Sequence, residues 1–113
     1  MVIESNDIKG FIDFFHEACL RIRKSKALFV RGKDGSLVKA ALKKFSRSQL
    51  EMLAIWFLVK KEKMSPTIGA MLSSVVLEEL ARTIEKPSFW KELDEMYEKY
   101  FPRETFYDTV HTI

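Results

Sequence analysis

Ser46-Arg47-Ser48-Gln49-Leu50-Glu51-Met52-Leu53-Ala54-Ile55-Trp56-Phe57-Leu58-Val59-Lys60-Lys61 opens on a helix-start signal and runs into Met52–Val59, a stretch without one polar side chain. Ser46 and Gln49 stand at the spacing of a capping box, in which two side chains satisfy backbone amides left free in the first turn. A helix that is apolar around its whole circumference has to be covered on every side. The stretch therefore predicts a helix over about 47–61 at the centre of an all-α bundle. Met52–Val59 is also too short to cross a bilayer, and the acidic start Met1-Val2-Ile3-Glu4-Ser5-Asn6-Asp7 is unlike a signal sequence, so no membrane association is expected.

The flanking sequence supplies the cover. Upstream, Ile8, Phe11, Ile12, Phe15, Cys19 and Ile22 recur at three- and four-residue steps, which predicts a first helix capped by Ser5 or Asn6 and fading near Lys24. Ala27 to Gly35 holds two glycines and reads as a connection, with room for a brief extended piece at Leu28-Phe29-Val30. A second helix is expected from Ser36 to Lys44, capped by Asp34 or Ser36, with Val38, Ala41, Leu42 and Phe45 inward and Lys39 and Lys43 outward. Downstream, Ser65-Pro66 opens a fourth helix with Ile68, Met71, Leu72, Val75, Val76 and Leu80 inward, ending near Lys86-Pro87. Ser88 caps a fifth, striped by Phe89, Leu93, Met96, Tyr97 and Tyr100 and stopped by Phe101-Pro102. Residues 103–113 read as a loosely docked tail. The whole, 1–113, is expected to be a single compact bundle of about five helices, since 113 residues suffice for one core.

Charge is distributed unevenly along this chain. Its net charge is only +3, but Arg21 to Arg47 holds ten basic residues against Asp34 alone, while Glu78 to Asp108 holds nine acids against five bases. Cys19 is the only cysteine, which rules out an internal disulfide, fits a reducing compartment and makes the cytoplasm the expected location. Lys39 and Lys43, four residues apart on one helix face, repel each other by about 0.2 to 0.5 kcal/mol, a cost that an anionic partner removes. With Arg31, Lys33, Lys44 and Arg47 around the same turn they form a candidate phosphate-binding set whose affinity would fall steeply with salt.

A wider pattern supports that reading. Phe11, Phe14 and Phe15, then Gly32-Lys33-Asp34 with Leu37, Lys39 and Leu42, then Lys44-Phe45-Ser46, Leu50, Leu53, Phe57 and Leu58, and finally Ser65-Pro66-Thr67-Ile68-Gly69 with Met71 and Leu72, follow one another in order. This order resembles a helical module of replication-associated, DNA-binding proteins of phages, plasmids and other mobile elements, over about residues 11–80. The resemblance implies DNA binding. Because the module is usually one piece of a larger replication protein, it also implies an accessory or regulatory role.

Other chemistry finds little footing. A lone acid such as Asp34 before a helix reads as a cap. His16 and Cys19 lie one turn apart, but a zinc site needs three or four ligands and only His111 remains. Neither a nucleophile–base pair nor a glycine-rich phosphate loop can be assembled, so no catalysis, cofactor, metal or small-molecule substrate is expected. Trp56 and Trp90 fall inside helix patterns and read as core or core edge, while Met64 and Met71 would line an interface if exposed. The basic segment has few amides or rings with which to read bases, so sequence preference should be weak. Helix two is a better candidate to enter a groove than the apolar helix three. DNA is the expected partner, with RNA open; the alternative is a protein-interaction module, a homo-oligomeric adaptor or inhibitor that docks its basic face on an acidic or nucleic-acid-binding protein surface.

Overall fold

A computed structural model describes residues 5–30 and 32–102. Six helices follow in order: α1 (Ser5–Arg23), α2 (Lys33–Ala41), α3 (Arg47–Lys60), α4 (Ile68–Met71), α5 (Ser74–Thr83) and α6 (Phe89–Tyr100). The fold is all-α. The expected tail over 103–113 lies outside the described residues.

α3 takes the central place that its sequence demands. Leu50 and the unbroken run Leu53–Leu58 are all buried, and the helix packs mainly against α1 and next against α6. Each large apolar side chain so covered contributes about 1.5 to 3 kcal/mol. The capping box forms as the sequence predicts: the Gln49 amide donates to Ser46 Oγ at 3.1 Å, and the Ser46 amide donates to Gln49 Oε1 at 3.0 Å. Phe11, Phe15, Ala18 and Cys19 of α1 cover one side of α3, and Phe89 and Leu93 of α6 belong to the same core. Trp56 is buried, Trp90 packs at the core edge, and Met64 and Met71 both belong to the packed interior.

The other end of α3 is closed by an arginine from α1. The Arg23 guanidinium donates to the carbonyls of Leu58 at 2.8 Å, Lys61 at 2.7 Å and Met64 at 2.8 Å. The last carbonyls of a helix have no partner within it, and one planar fork here serves two of them and the turn beyond. Lys24, directly after Arg23, adopts φ 58, the left-handed turn that ends α1. Arg21 works alongside, donating to the Tyr100 carbonyl at 3.0 Å and lying 4.5 Å over the Phe101 ring, which itself stacks on Phe14 and Tyr97.

Several boundaries differ from the sequence reading. Asn6 lies inside α1 rather than capping it. The expected fourth helix is two: α4 is a single turn, capped by Thr67 rather than Ser65, with the Ala70 amide donating to Thr67 Oγ1 at 2.9 Å. Ser73 takes an extended conformation and donates its hydroxyl to the Ala70 carbonyl at 2.8 Å, so the chain restarts as α5 with a new phase. Val76 and Leu80 therefore face inward, whereas Val75, expected inward, is 69% exposed. Ser88 precedes α6, but its hydroxyl makes no bond to the helix amides. The Leu28 amide donates to the Pro66 carbonyl at 3.2 Å, so the extended piece expected at 28–30 is a single bridge tying the α1–α2 connection to the chain before α4.

The Arg23 clamp generates a prediction. Arg23→Ala removes three charge-assisted bonds and should lower unfolding free energy by about 3 kcal/mol, with Arg23→Lys recovering only part because an ammonium lacks the fork. Urea unfolding of the three proteins, followed by circular dichroism, measures it. Equal stability of the alanine variant and the parent would show that the carbonyls are served equally well by water.

Candidate nucleic-acid interface

The candidate cations lie on and around α2, so the local folding of that helix sets their geometry. Gly32 holds φ 82 and ψ −52, a backbone closed in practice to residues with a side chain, and this turn lets the helix begin at Lys33 instead of Ser36. Ser36 is thus inside α2. Asp34 does not cap the helix either: it is 4% exposed, and its Oδ2 accepts the Val30 amide at 2.7 Å, while its own amide donates to the Val30 carbonyl at 3.0 Å. Asp34 pins the incoming chain to the first turn. Val38 and Leu42 are buried beneath the helix. The regular helix ends at Ala41, three residues before the expected end, and Lys43 and Lys44 follow in a tightening turn whose amides donate to Ala40 and Ala41.

Of the six expected contact residues, four keep free charges on α2 and in the turn after it. Lys33, Lys39, Lys43 and Lys44 are all exposed, and none forms an ion pair with an acid among the described residues. Lys39 lies on the outward side of α2, and Lys43 follows in the turn that closes the helix. Arg47 stands differently. Its guanidinium lies between Asp7, at 3.8 Å, and Glu51, at 3.1 Å, against Gly10 of α1, where a Cβ would overlap it. It is a clip between α1 and α3. Arg31 lies outside the described residues.

Among its described residues, the basic segment divides by residue type. Arg21, Arg23 and Arg47 are engaged by carbonyls, carboxylates and rings of the same molecule, whereas Lys24, Lys26, Lys33, Lys39, Lys43 and Lys44 are exposed without ion-pair partners among the described residues. Phe29, 41% exposed, already meets Phe15 and His16 edge-on or tilted. Base stacking has no open platform here among the described residues.

One feature beside α2 escaped the sequence reading. Leu37, Ala40, Ala41, Lys44 and Phe45 face Leu72, Leu77, Leu80, Ala81 and Ile84 across an apolar groove of about 340 Å³. The signal was present in Leu37, Ala40 and Leu77, apolar or small residues on helix faces beyond those needed for the core stripe. Elsewhere, Cys19 is buried, and that burial pushes its thiol up despite the Ser25 hydrogen bond and the Arg23 charge. Among the described residues no group of three or more histidines, cysteines and acids is placed to hold a metal, and no helix is long and apolar enough to cross a membrane.

Compared with known protein families, with curated proteins and with solved structures, the chain matches none.

Glu51, the acid partner of Arg47, carries a testable electrostatic signature. Burial raises its carboxyl above the ordinary value of 4.5, and the hydrogen bond and charge of Arg47 offset only part of that. A carboxyl that holds its proton more tightly in the folded state costs stability as pH rises through that range, and the cost persists at neutral pH. Glu51→Gln should therefore unfold at a higher temperature than the parent at pH 7, with the gap closing near about pH 4 where both side chains are neutral. A lower melting temperature at pH 7 would mean instead that the ion pair outweighs the desolvation.

Proposed function

We propose that the protein is a nucleic-acid-binding protein, most simply a DNA-binding accessory or regulatory factor of a mobile element, that holds phosphates through the outward side of α2 and the turn after it. The observation that carries this reading is the concentration of Lys33, Lys39, Lys43 and Lys44, exposed and unpaired among the described residues, on one short helix and its closing turn. Their mutual repulsion is uncompensated within the described fold, and phosphate is the ligand that relieves it. Lys39 and Lys43 form the centre of the contact, with Lys33 and Lys44 at its edge; Arg47, held by Asp7 and Glu51, contributes a fixed background charge. Lysines acting as point charges, without forks or amides aimed at base edges, bind with little regard to sequence.

One observation favours a second reading, a protein-interaction module: the apolar groove bordering the same helix, which phosphate contacts leave unused.

The two separate on a salt titration. Binding of labelled duplex and single strands should weaken as salt rises, and Lys39→Glu with Lys43→Glu should reduce affinity at least tenfold and lower the slope of log affinity against log salt by about 1.8, or about 1.4 for single strands. Unchanged affinity in the double variant, or affinity indifferent to salt, would sink the phosphate reading.

A further inference from the structure

The groove beside α2 is built from two helix faces that the core leaves over. Leu37, Ala40 and Ala41 recur at three- and four-residue steps on α2, and Leu77, Ala81 and Ile84 do the same on α5. Ala40 and Ala41 on one side and Ala81 on the other are small, and Ala40 and Ala81 are exposed, so a second backbone can approach closely. The two rims carry opposite charges. On the α2 side, Lys33 and Lys44 extend the Leu37–Ala41 stripe at its two ends, and Lys44 itself lines the groove. On the α5 side, Glu78 stands on the helix three residues before Ala81 and Glu85 in the turn just beyond its end, with Arg82 between them in sequence. All four rim residues are exposed and unpaired among the described residues.

We propose that this groove is the interface of a homodimer, occupied by a second copy of the chain related by a two-fold axis running along the groove. The charges choose both occupant and axis. In a two-fold interface the same patch meets itself, so each copy must be self-complementary. An axis along the groove lays α2 of one copy over α5 of the other, and the lysine rim meets the glutamate rim twice. An axis across the groove lays lysine over lysine and glutamate over glutamate, which repels. A groove with an apolar floor between rims of opposite sign thus carries, within one chain, everything that its partner needs. Lys39 stands about half a turn round α2 from Leu37, so dimerisation engages Lys33 and Lys44 and leaves Lys39 of each copy in solvent.

The full chain in low salt, without nucleic acid, tests this by sedimentation velocity over a concentration series. The parent should move from 13.2 kDa towards twice that mass as concentration rises. Lys33→Glu with Lys44→Glu gives a protein with two acidic rims, and Glu78→Lys with Glu85→Lys gives one with two basic rims; each should stay monomeric where the parent dimerises. Mixed in equal amounts, the two variants should regain the doubled mass, because each altered rim now finds its opposite on the other protein. All four positions are exposed, so the fold is kept, and no nucleic acid is present, so the readout is the mass of the protein alone. A parent that remains monomeric throughout, variants that dimerise like the parent, or a mixture no heavier than its components would each overturn the proposal.

Discussion

A helix without a polar side has no orientation of its own, and that absence organises everything around α3. With seven buried residues distributed around its circumference, it can be stable only if other elements enclose it. α1 and α6 do most of this, and the aromatic residues of α1 supply the bulk that an α3 rich in leucine needs for close packing. The ends of the helix carry a second requirement. A helix leaves its first amides and last carbonyls without partners inside it, and at α3 side chains serve both ends. Ser46 and Gln49 do this locally at the start. At the finish the donor comes from another helix, and Arg23 thereby makes the end of α1 and the end of α3 one structural unit.

The division of labour between arginine and lysine follows from the same need. A guanidinium offers several donors in a fixed plane and sheds water more readily than an ammonium, so it can serve the part-buried junction at Leu58–Met64 and the more exposed ones at Tyr100–Phe101 and between Asp7 and Glu51. The lysines of the same segment have no such use and remain hydrated. A charge count over 21–47 treats the two alike, yet among the described residues the three arginines have partners and the lysines do not. The set of cations proposed for phosphate is accordingly smaller than the basic segment, and it lies on α2 and the turn after it.

How much of this was legible in the sequence depended on how local the cause was. The capping box and the apolar run of α3 are set by neighbours within a few residues, and both stand in the structure as read. The start of α2 depends on a glycine at φ 82, and the burial of Asp34 depends on Val30 being folded back over it, neither of which leaves a distinct mark in the residue pattern. The break at Ser73 is a competition between a side-chain hydroxyl and the helix for the Ala70 carbonyl; once it resets the phase, an apolar spacing that placed Val75 inside points it outward. For the candidate site, the sequence located the lysines but could not assign the arginines, because the partners of Arg21 and Arg23 lie 79 and 35 to 41 residues away.

α2 finally shows how a short helix can be asked to present three faces at once. Val38 and Leu42 hold it to the core, Lys39 and Lys43 face solvent, and Leu37, Ala40 and Ala41 line the groove. With only nine residues it has little intrinsic stability as a helix, so its position rests on the Gly32 turn, the Asp34 bond to Val30 and its packing on α1 and α4. A face that buries little of its own helix gains most from being covered by something else. The cationic side and the apolar side of α2 are therefore complementary: a second copy across the groove would steady the helix that carries Lys39 and Lys43, and it would place two such pairs on one assembly, so that a polyanion spanning both meets the second pair at high effective concentration.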